Sequence, residues 1–246
     1  MASADFAPAG APGALDEPQV RAMFDRIAGL YDRMNTVMTA GLHHEWRRRA
    51  TDLAELEPGG RALDVATGTG DLAFELAGRL GARGEVVGVD FSERMLELAR
   101  AKAAERGFGG ASVRFETGNA LALEYRADEF DAATVGFGAR NFSDLGRGLS
   151  EMARVVRPGG RVVVLEITTP RRPPLSTFFD VWFDRVVPAC GRLVDSEAYS
   201  YLPSSVKRFP APEELAGRMW ESGLRDIRYV LTAGGIIALH VGTVPT

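Results

Sequence analysis

The chain has 246 residues, a net charge of −4, 46% hydrophobic and 25% charged residues, which is the make-up of one well-packed globular domain with additions, or at most two small ones. That charge excludes bulk electrostatic attraction to nucleic acid. The single cysteine, Cys190, excludes an internal disulfide and a cysteine metal cluster, and no uncharged apolar run reaches the roughly 18 residues of a membrane span.

Residues 1–18 are rich in Ala, Pro and Gly without periodicity and read as a disordered tail. They lack the basic and apolar regions of a secretory signal, so a cytoplasmic location is the default. From Val20 to Arg33, apolar residues at Val20, Met23, Phe24, Ile27, Leu30 and Tyr31 recur at helical spacing. A second helix is expected over 42–56. The intervening stretch, Tyr31 to Trp46, is dense in aromatic, amide and imidazole groups. It reads either as a helical cap packed over a sheet or as a lid or substrate wall.

Beyond Arg61 strands and helices alternate. Strands are expected at 61–66, 85–90, 112–117, 130–136 and 161–167, and helices at 71–80, 92–106 and 143–156. The fold class is therefore α/β, a doubly wound, mostly parallel sheet covered on both faces. Ser92 is a favourable N-cap, followed by the first-turn acid Glu93. Pro158-Gly159-Gly160 reads as a tight turn.

The segment 168–208 breaks this alternation with Pro170, Pro173, Pro174, Pro188 and Pro203. Leu175, Phe178, Phe179, Trp182, Phe183 and Val186 form a helical stripe there. It is a core-facing helix of an inserted lid, a wall for an apolar substrate, or a membrane-surface contact. A helix over 211–222 and two strands at 226–231 and 236–241 close the chain and bring the sheet to seven strands. The division expected is a single domain over 19–246, with a helical cap at 19–58 and a lid insertion at 169–210.

The chemistry gathers on Ala62 to Leu72. An apolar strand runs into a turn carrying Gly68 and Gly70, and a helix follows at once, as in the first half of a nucleotide-binding βαβ unit. Asp90 lies 20 positions after Gly70, at the end of the second strand, where such folds place an acid for ribose hydroxyls. Asn119-Ala120 follows the third strand, where an adenine edge would lie. The pattern G-x-G-x-x-A, Gly68 to Ala73, tolerates NAD, FAD and S-adenosylmethionine alike. No cluster of metal-ligand spacing is present.

The Pro158-Gly159-Gly160 turn and the terminal strand pair resemble class I S-adenosylmethionine-dependent methyltransferases. Those usually carry a glycine where this chain has Ala66. Tyr31-Asp32-x-Met34-Asn35 with His43 and Trp46, Phe137-Gly138-Ala139-Arg140-Asn141, Arg154 to Gly160 through Leu165-Glu166, Tyr201 to Ser205 and Ala238-Leu239-His240 resemble blocks of the menaquinone/ubiquinone biosynthesis C-methyltransferase family. The resemblance spans roughly Val20 to Gly242. Thr39, Thr168, Arg157 and Gly136 depart from the family pattern. Gly136 stands where many members have a serine that touches the cofactor.

The resemblance implies a class I methyltransferase fold, S-adenosylmethionine as cofactor, and cofactor contacts at Thr69, Asp90, Asn119 and Ala120, in the turn of Gly68 and Gly70. It also implies C-methylation of demethylmenaquinol, with the corresponding methoxy-polyprenyl-benzoquinol step of ubiquinone synthesis as the alternative. A free phenol titrates near ~10, so a base or a cation beside the ring oxygen should matter. Arg140 is read as stabilising a forming oxyanion directly or holding a water, Asn141 as orienting the ring oxygen, Asp71 as a base or a helix-start acid, and His43 as a proton acceptor or a packed histidine. His44 is read as surface and His240 as structural. Two further readings stand beside this one: a nicotinamide-dependent oxidoreductase using the same glycine turn, and a non-catalytic subunit of a quinone pathway. The expected partner is a prenylated naphthoquinol. Peripheral contact with the inner face of the membrane and a homodimer are both compatible with the sequence.

Overall fold

The computed structural model describes residues 16–108, 112–186 and 196–246. The seven strands β1 (Arg61–Val65), β2 (Glu85–Asp90), β3 (Val113–Thr117), β4 (Phe130–Gly136), β5 (Val156–Ile167), β6 (Arg225–Thr232) and β7 (Ile237–Thr243) form one sheet in the order β3-β2-β1-β4-β5-β7-β6. β1 to β5 pair in parallel, and only β7 runs antiparallel to its neighbours β5 and β6. Strand order reverses between β1 and β4. In a doubly wound sheet the crevice at that reversal is the natural ligand site.

Helices α3 (Asp71–Leu80), α4 (Glu93–Glu105), α5 (Leu145–Val155) and α8 (Pro212–Glu221) cover the sheet. One core layer packs α2 (His43–Leu53), α3 and α4 against one face, through Leu72, Leu76, Leu80 and Leu96. The other packs α5 and α8 through Leu149, Met152, Leu215 and Met219. The strands are buried on both faces, as the unbroken apolar runs require.

Helix α1 (Glu17–Thr39) departs most from expectation. It begins inside the stretch read as a tail, because Asp16 and Gln19 close a reciprocal capping box. The rest of that tail, residues 1–15, lies outside the described residues. The helix also continues through Tyr31 to Thr39, where an inter-helix segment was expected, and stops only at Ala40 with a left-handed φ of 48°. The expected Pro158-Gly160 turn lies within the span of β5, where the register against β4 shifts: Phe130 pairs with Val156 but Ala132 with Arg161, and Gly159 has a φ of 79°. The segment expected as a lid contains α6 (Leu175–Val181), a π-turn over Trp182–Val186 and α7 (Ser196–Arg208). Pro188 and Cys190 lie outside the described residues.

Candidate active site

At the end of β1 the chain turns through three residues with positive φ. Ala66 sits at φ 52°, in the left-handed region, which explains why a glycine is usual there; the Cβ costs about 1 kcal/mol. Gly68 and Gly70 follow at φ 56° and 85°. A Cβ on Gly70 would lie 2.7 Å from the Phe115 ring, so this glycine lets α3 seat closely on the sheet. Beneath the turn Asp64 accepts hydrogen bonds from the Thr67 hydroxyl at 2.6 Å and the Thr134 hydroxyl at 2.7 Å. Burial nevertheless pushes its carboxyl up to about 6.

Asp90 ends β2 beside this turn. It accepts from the Gly68 N–H at 2.8 Å and the Ser92 N–H at 2.9 Å. Burial raises its carboxyl to about 6, against these N–H donors, and Asp25 adds to the rise. Asp90, Gly68, Asn119, Ala120 and Asn141 line one cavity at the strand reversal. Gly136 lines it too, and the Leu72 side chain lies 3.0 Å from where a Cβ there would stand. These features suit an adenosine ligand: a buried carboxylate for vicinal hydroxyls, an amide beside a small residue for a ring edge, and backbone open to close approach. Thr69 differs from its expected role. Its hydroxyl donates to Asp32 at 2.6 Å and accepts from Lys102 at 2.9 Å, and it lines neither cavity described here.

Helix α1 lies across these loops. Glu17 accepts from Asn119 Nδ2 at 2.8 Å, Asp25 from the Ser92 hydroxyl at 2.5 Å, and Asp32 from the Thr69 hydroxyl. The three acids stand eight and seven positions apart, close to whole helical turns, so they share one face. That face grips the loops after β3, β2 and β1 in sheet order. Lys102 joins the grip through Asp32 at 2.5 Å and Asp71 at 3.0 Å. The regular spacing of Glu17, Asp25 and Asp32, and the presence of only two lysines in the chain, are the signals that could have marked this network.

A second, larger cavity of about 550 Å³ lies between α1, α2 and the lid. Met23, Met34, Trp46, Phe179, Trp182 and Phe183 supply much of its wall. Phe24, Tyr31 and Phe137 line both cavities and form the partition between them. Phe137 holds a left-handed φ of 61°; its N–H donates to Leu165 O at 2.8 Å and its carbonyl accepts from Arg140 Nη1. Backbone strain of this kind is kept only where the surroundings enforce it.

Arg140 faces the large cavity and is 7% exposed, ion-paired at 2.7 Å to Glu166, itself 1% exposed. Burial opposes the guanidinium charge, but Glu166 outweighs it and holds Arg140 above its ordinary range. Its Nε–H has no hydrogen-bond partner among the described residues. Asn141, next in the chain, lines the cavity at the strand reversal and accepts from the Tyr201 hydroxyl at 3.1 Å. Burial keeps that phenol protonated, against the pull of Arg140 and Arg208. Glu166 and Tyr201 belong to blocks that resembled the family, yet nothing in their spacing marked them as partners of Arg140 and Asn141.

His43 and Asp71 lie elsewhere in the network. His43 lines the large cavity but both its ring nitrogens are engaged. The Thr36 hydroxyl donates to Asp32 O at 2.9 Å, so it must accept from His43 Nε2, and Nδ1 accepts from Arg47. Burial first, and the Arg47 charge second, lower its pKa to about 4. His43 is therefore a neutral, fully bonded histidine with no free lone pair. Asp71 lines neither cavity and is held by Arg47, Lys102 and Arg106. Burial works to raise its pKa, but these cations leave it below the ordinary carboxylate range, which suits an electrostatic anchor and not a base. His44 is exposed; His240 is buried with Nε2 donating to Pro212 O at 2.9 Å, a structural role. Among the described residues no group of His, Cys, Asp and Glu could hold a metal ion.

Comparison with known proteins agrees with this geometry. The [4+2]-cyclase SpnF superposes with a TM-score of 0.71 at 20% identity, over 97% of this chain and 100% of its own. An S-adenosylmethionine-dependent methyltransferase from Thermotoga maritima superposes with a TM-score of 0.62 at 21% identity, over 90% of this chain and 98% of its own. At these identities the likeness is one of fold, the class I methyltransferase fold. Demethylmenaquinone methyltransferases from Thermus thermophilus and Deinococcus radiodurans are each 46% identical over 91% of this chain, covering 100% and 91% of their own lengths. The ubiquinone/menaquinone biosynthesis C-methyltransferase UbiE of Geobacter sulfurreducens is 41% identical over 91% of this chain and 88% of its own. A profile of the ubiE/COQ5 methyltransferase family matches residues 13–244, and the chain belongs to that family.

Proposed function

We propose that the chain is an S-adenosylmethionine-dependent C-methyltransferase that converts demethylmenaquinol to menaquinol. The observation that carries this reading is the pair of adjoining cavities, one built for adenosine and one apolar, parted only by Phe24, Tyr31 and Phe137. The relatives at 46% identity are named for the menaquinone reaction alone, which favours a naphthoquinol over a benzoquinol. S-adenosylmethionine supplies, when bound, an electrophilic methyl group. Asp90 would hold its ribose hydroxyls, Asn119 and Ala120 its adenine, and the Gly68–Gly70 turn its remaining length.

Methylation at carbon needs electron density pushed from a neighbouring ring oxygen. Arg140 suits that role as a permanent cation in the wall of the large cavity. Glu166 keeps the guanidinium in place, and the carbonyl of Phe137 fixes its far side. Asn141, aligned by Tyr201, adds an amide donor next to the partition. The apolar wall excludes water, so the oxyanion is felt at full strength.

Labelled S-adenosylmethionine offered with a short-chain demethylnaphthoquinol and a methoxybenzoquinol side by side tests the reading. Label should enter the naphthoquinol preferentially. Arg140→Ala should lower turnover about 100-fold while cofactor affinity stays within about twofold. Full turnover in this variant would remove Arg140 from the chemistry.

A further inference from the structure

We propose that the mouth of the large cavity is a docking surface for an anionic lipid bilayer. This rests on the reading of that cavity as a site for a lipid-dissolved acceptor. Nine large hydrophobic residues among those described are conspicuously exposed, and five of them gather at this one opening. Leu30, Val37, Leu42 and Phe178 are 43%, 74%, 52% and 56% exposed while also lining the cavity, so they form its rim. Val181, 46% exposed, stands one turn from Phe178 on α6 and extends the rim without lining the cavity. The rim thus comes from both sides of the opening: α1 and the α1–α2 turn on one side, the lid on the other.

Scattered single apolar residues on a surface are ordinary; a contiguous apolar rim that continues into an apolar cavity is not. Any lipid chain entering the cavity must cross it. Trp182 stacks on Phe178, with ring centroids 5.9 Å apart, giving the rim the amphipathic aromatic character of a membrane interface. Charge selects the surface further. Arg33 lies between Leu30 and Val37 in α1, and Arg185 follows Val181 by four positions. Both are exposed, and neither makes an ion pair among the described residues, so both can meet phosphate headgroups. Glu45, near Leu42, is taken up by Arg48 and Arg49. The chain as a whole is acidic, so attraction to an anionic bilayer must come from this local arrangement and from insertion of the rim. No helix among the described residues is long and apolar enough to cross a membrane, which makes this a surface contact.

The test is co-sedimentation of the full chain with phosphatidylcholine vesicles carrying phosphatidylglycerol, without any quinol present. Wild type should bind, more weakly as salt rises. Val181→Glu with Arg33→Glu, one on each side of the mouth and neither lining the cavity, should weaken partition about tenfold or more. The same variant should methylate a water-soluble short-chain acceptor at the wild-type rate while losing rate on a long-chain acceptor dissolved in vesicles. Absent vesicle binding by wild type, or binding untouched by the variant, overturns the proposal. A wild-type dimer that the variant dissociates would assign the rim to a second copy instead and equally overturn it. Failure of wild type to methylate the soluble acceptor speaks against the quinol reading, and is read separately from vesicle binding.

Discussion

Two buried carboxylates stand at and beneath the glycine turn. Asp64 and Asp90 are both raised from 3.8 to about 6, mainly by burial. A folded-state pKa above the unfolded value means that the native state binds the proton more tightly. The stability each contributes is therefore fully present below about 4 and is lost as pH rises through about 6. The proposed ligand has the opposite preference. Its ribose hydroxyls would donate to an ionised Asp90, so cofactor affinity should fall as pH drops through about 6. Asp64 lines neither cavity, which leaves Asp90 as the source of that dependence. The expected outcome is a rise in Tm on adding S-adenosylhomocysteine that is small at pH 5 and grows towards pH 7. Asp90→Asn should flatten the growth and weaken binding about tenfold or more, since two charge-assisted hydrogen bonds are lost. An unchanged pH profile in the variant would move the effect to another group. Asp90 was legible in the sequence because strand end, glycine turn and acid keep a fixed spacing. The second role of its neighbour Ser92 was not. The N-cap was apparent, but its hydroxyl also donates to Asp25, 67 positions away, and sequence spacing does not report contacts of that range.

At the scale of elements, α1 acts as a strap across the C-terminal ends of β1, β2 and β3. Its hold depends on Glu17, Asp25 and Asp32, and Asp32 has the strongest pair of partners, the Thr69 hydroxyl and the Lys102 ammonium. Asp32→Ala should free both and loosen the middle of α1 where it crosses the glycine turn. Amide exchange over residues 28–36 should rise, and cofactor affinity should fall about threefold to tenfold as the strap opens more often. Exchange unchanged in α1 would mean that packing of Val20, Met23 and Ala28 alone holds it. The strap also shows where the sequence stops being informative. The sheet and its covering helices were readable because each buries a face with a fixed period, 2 or 3.6. The far half of α1 was not, since Tyr31 to Thr39 is dense in polar groups whose partners are tertiary. Thr36 and Thr39 hydroxyls turn back on the carbonyls of Asp32 and Asn35, so polar residues that suggested an irregular segment are satisfied within the helix. His43 and Asp71 were ambiguous for the same reason. Their type admitted either proton transfer or a structural role, and only their neighbours, Arg47 and Lys102 among them, favour the structural one.

At the scale of the molecule, the two cavities share a wall that stands partly on the strap. Phe24 and Tyr31 sit on the strap and line both cavities, so any ordering of α1 by one ligand shapes the wall offered to the other. Where the first ligand bears the entropy of fixing α1, the second finds it already fixed. Positive coupling is therefore expected between cofactor and acceptor, and linkage requires it to be equal in both directions. S-adenosylhomocysteine should tighten binding of a short-chain demethylnaphthoquinone by about fivefold or more, and the naphthoquinone should tighten S-adenosylhomocysteine by the same factor. Calorimetry of each ligand alone and in the presence of the other measures both sides of the cycle without turnover. Phe24→Ala should shrink the coupling more than it weakens either ligand alone, because the ring bridges the cavities and packs edge-on to Tyr31 and Phe91 at 6.1 and 6.5 Å. Independent binding of the two ligands would show that α1 is rigid before either arrives. In that case the partition of Phe24, Tyr31 and Phe137 would be a fixed wall, and alignment of the acceptor would fall to Arg140 and the lid.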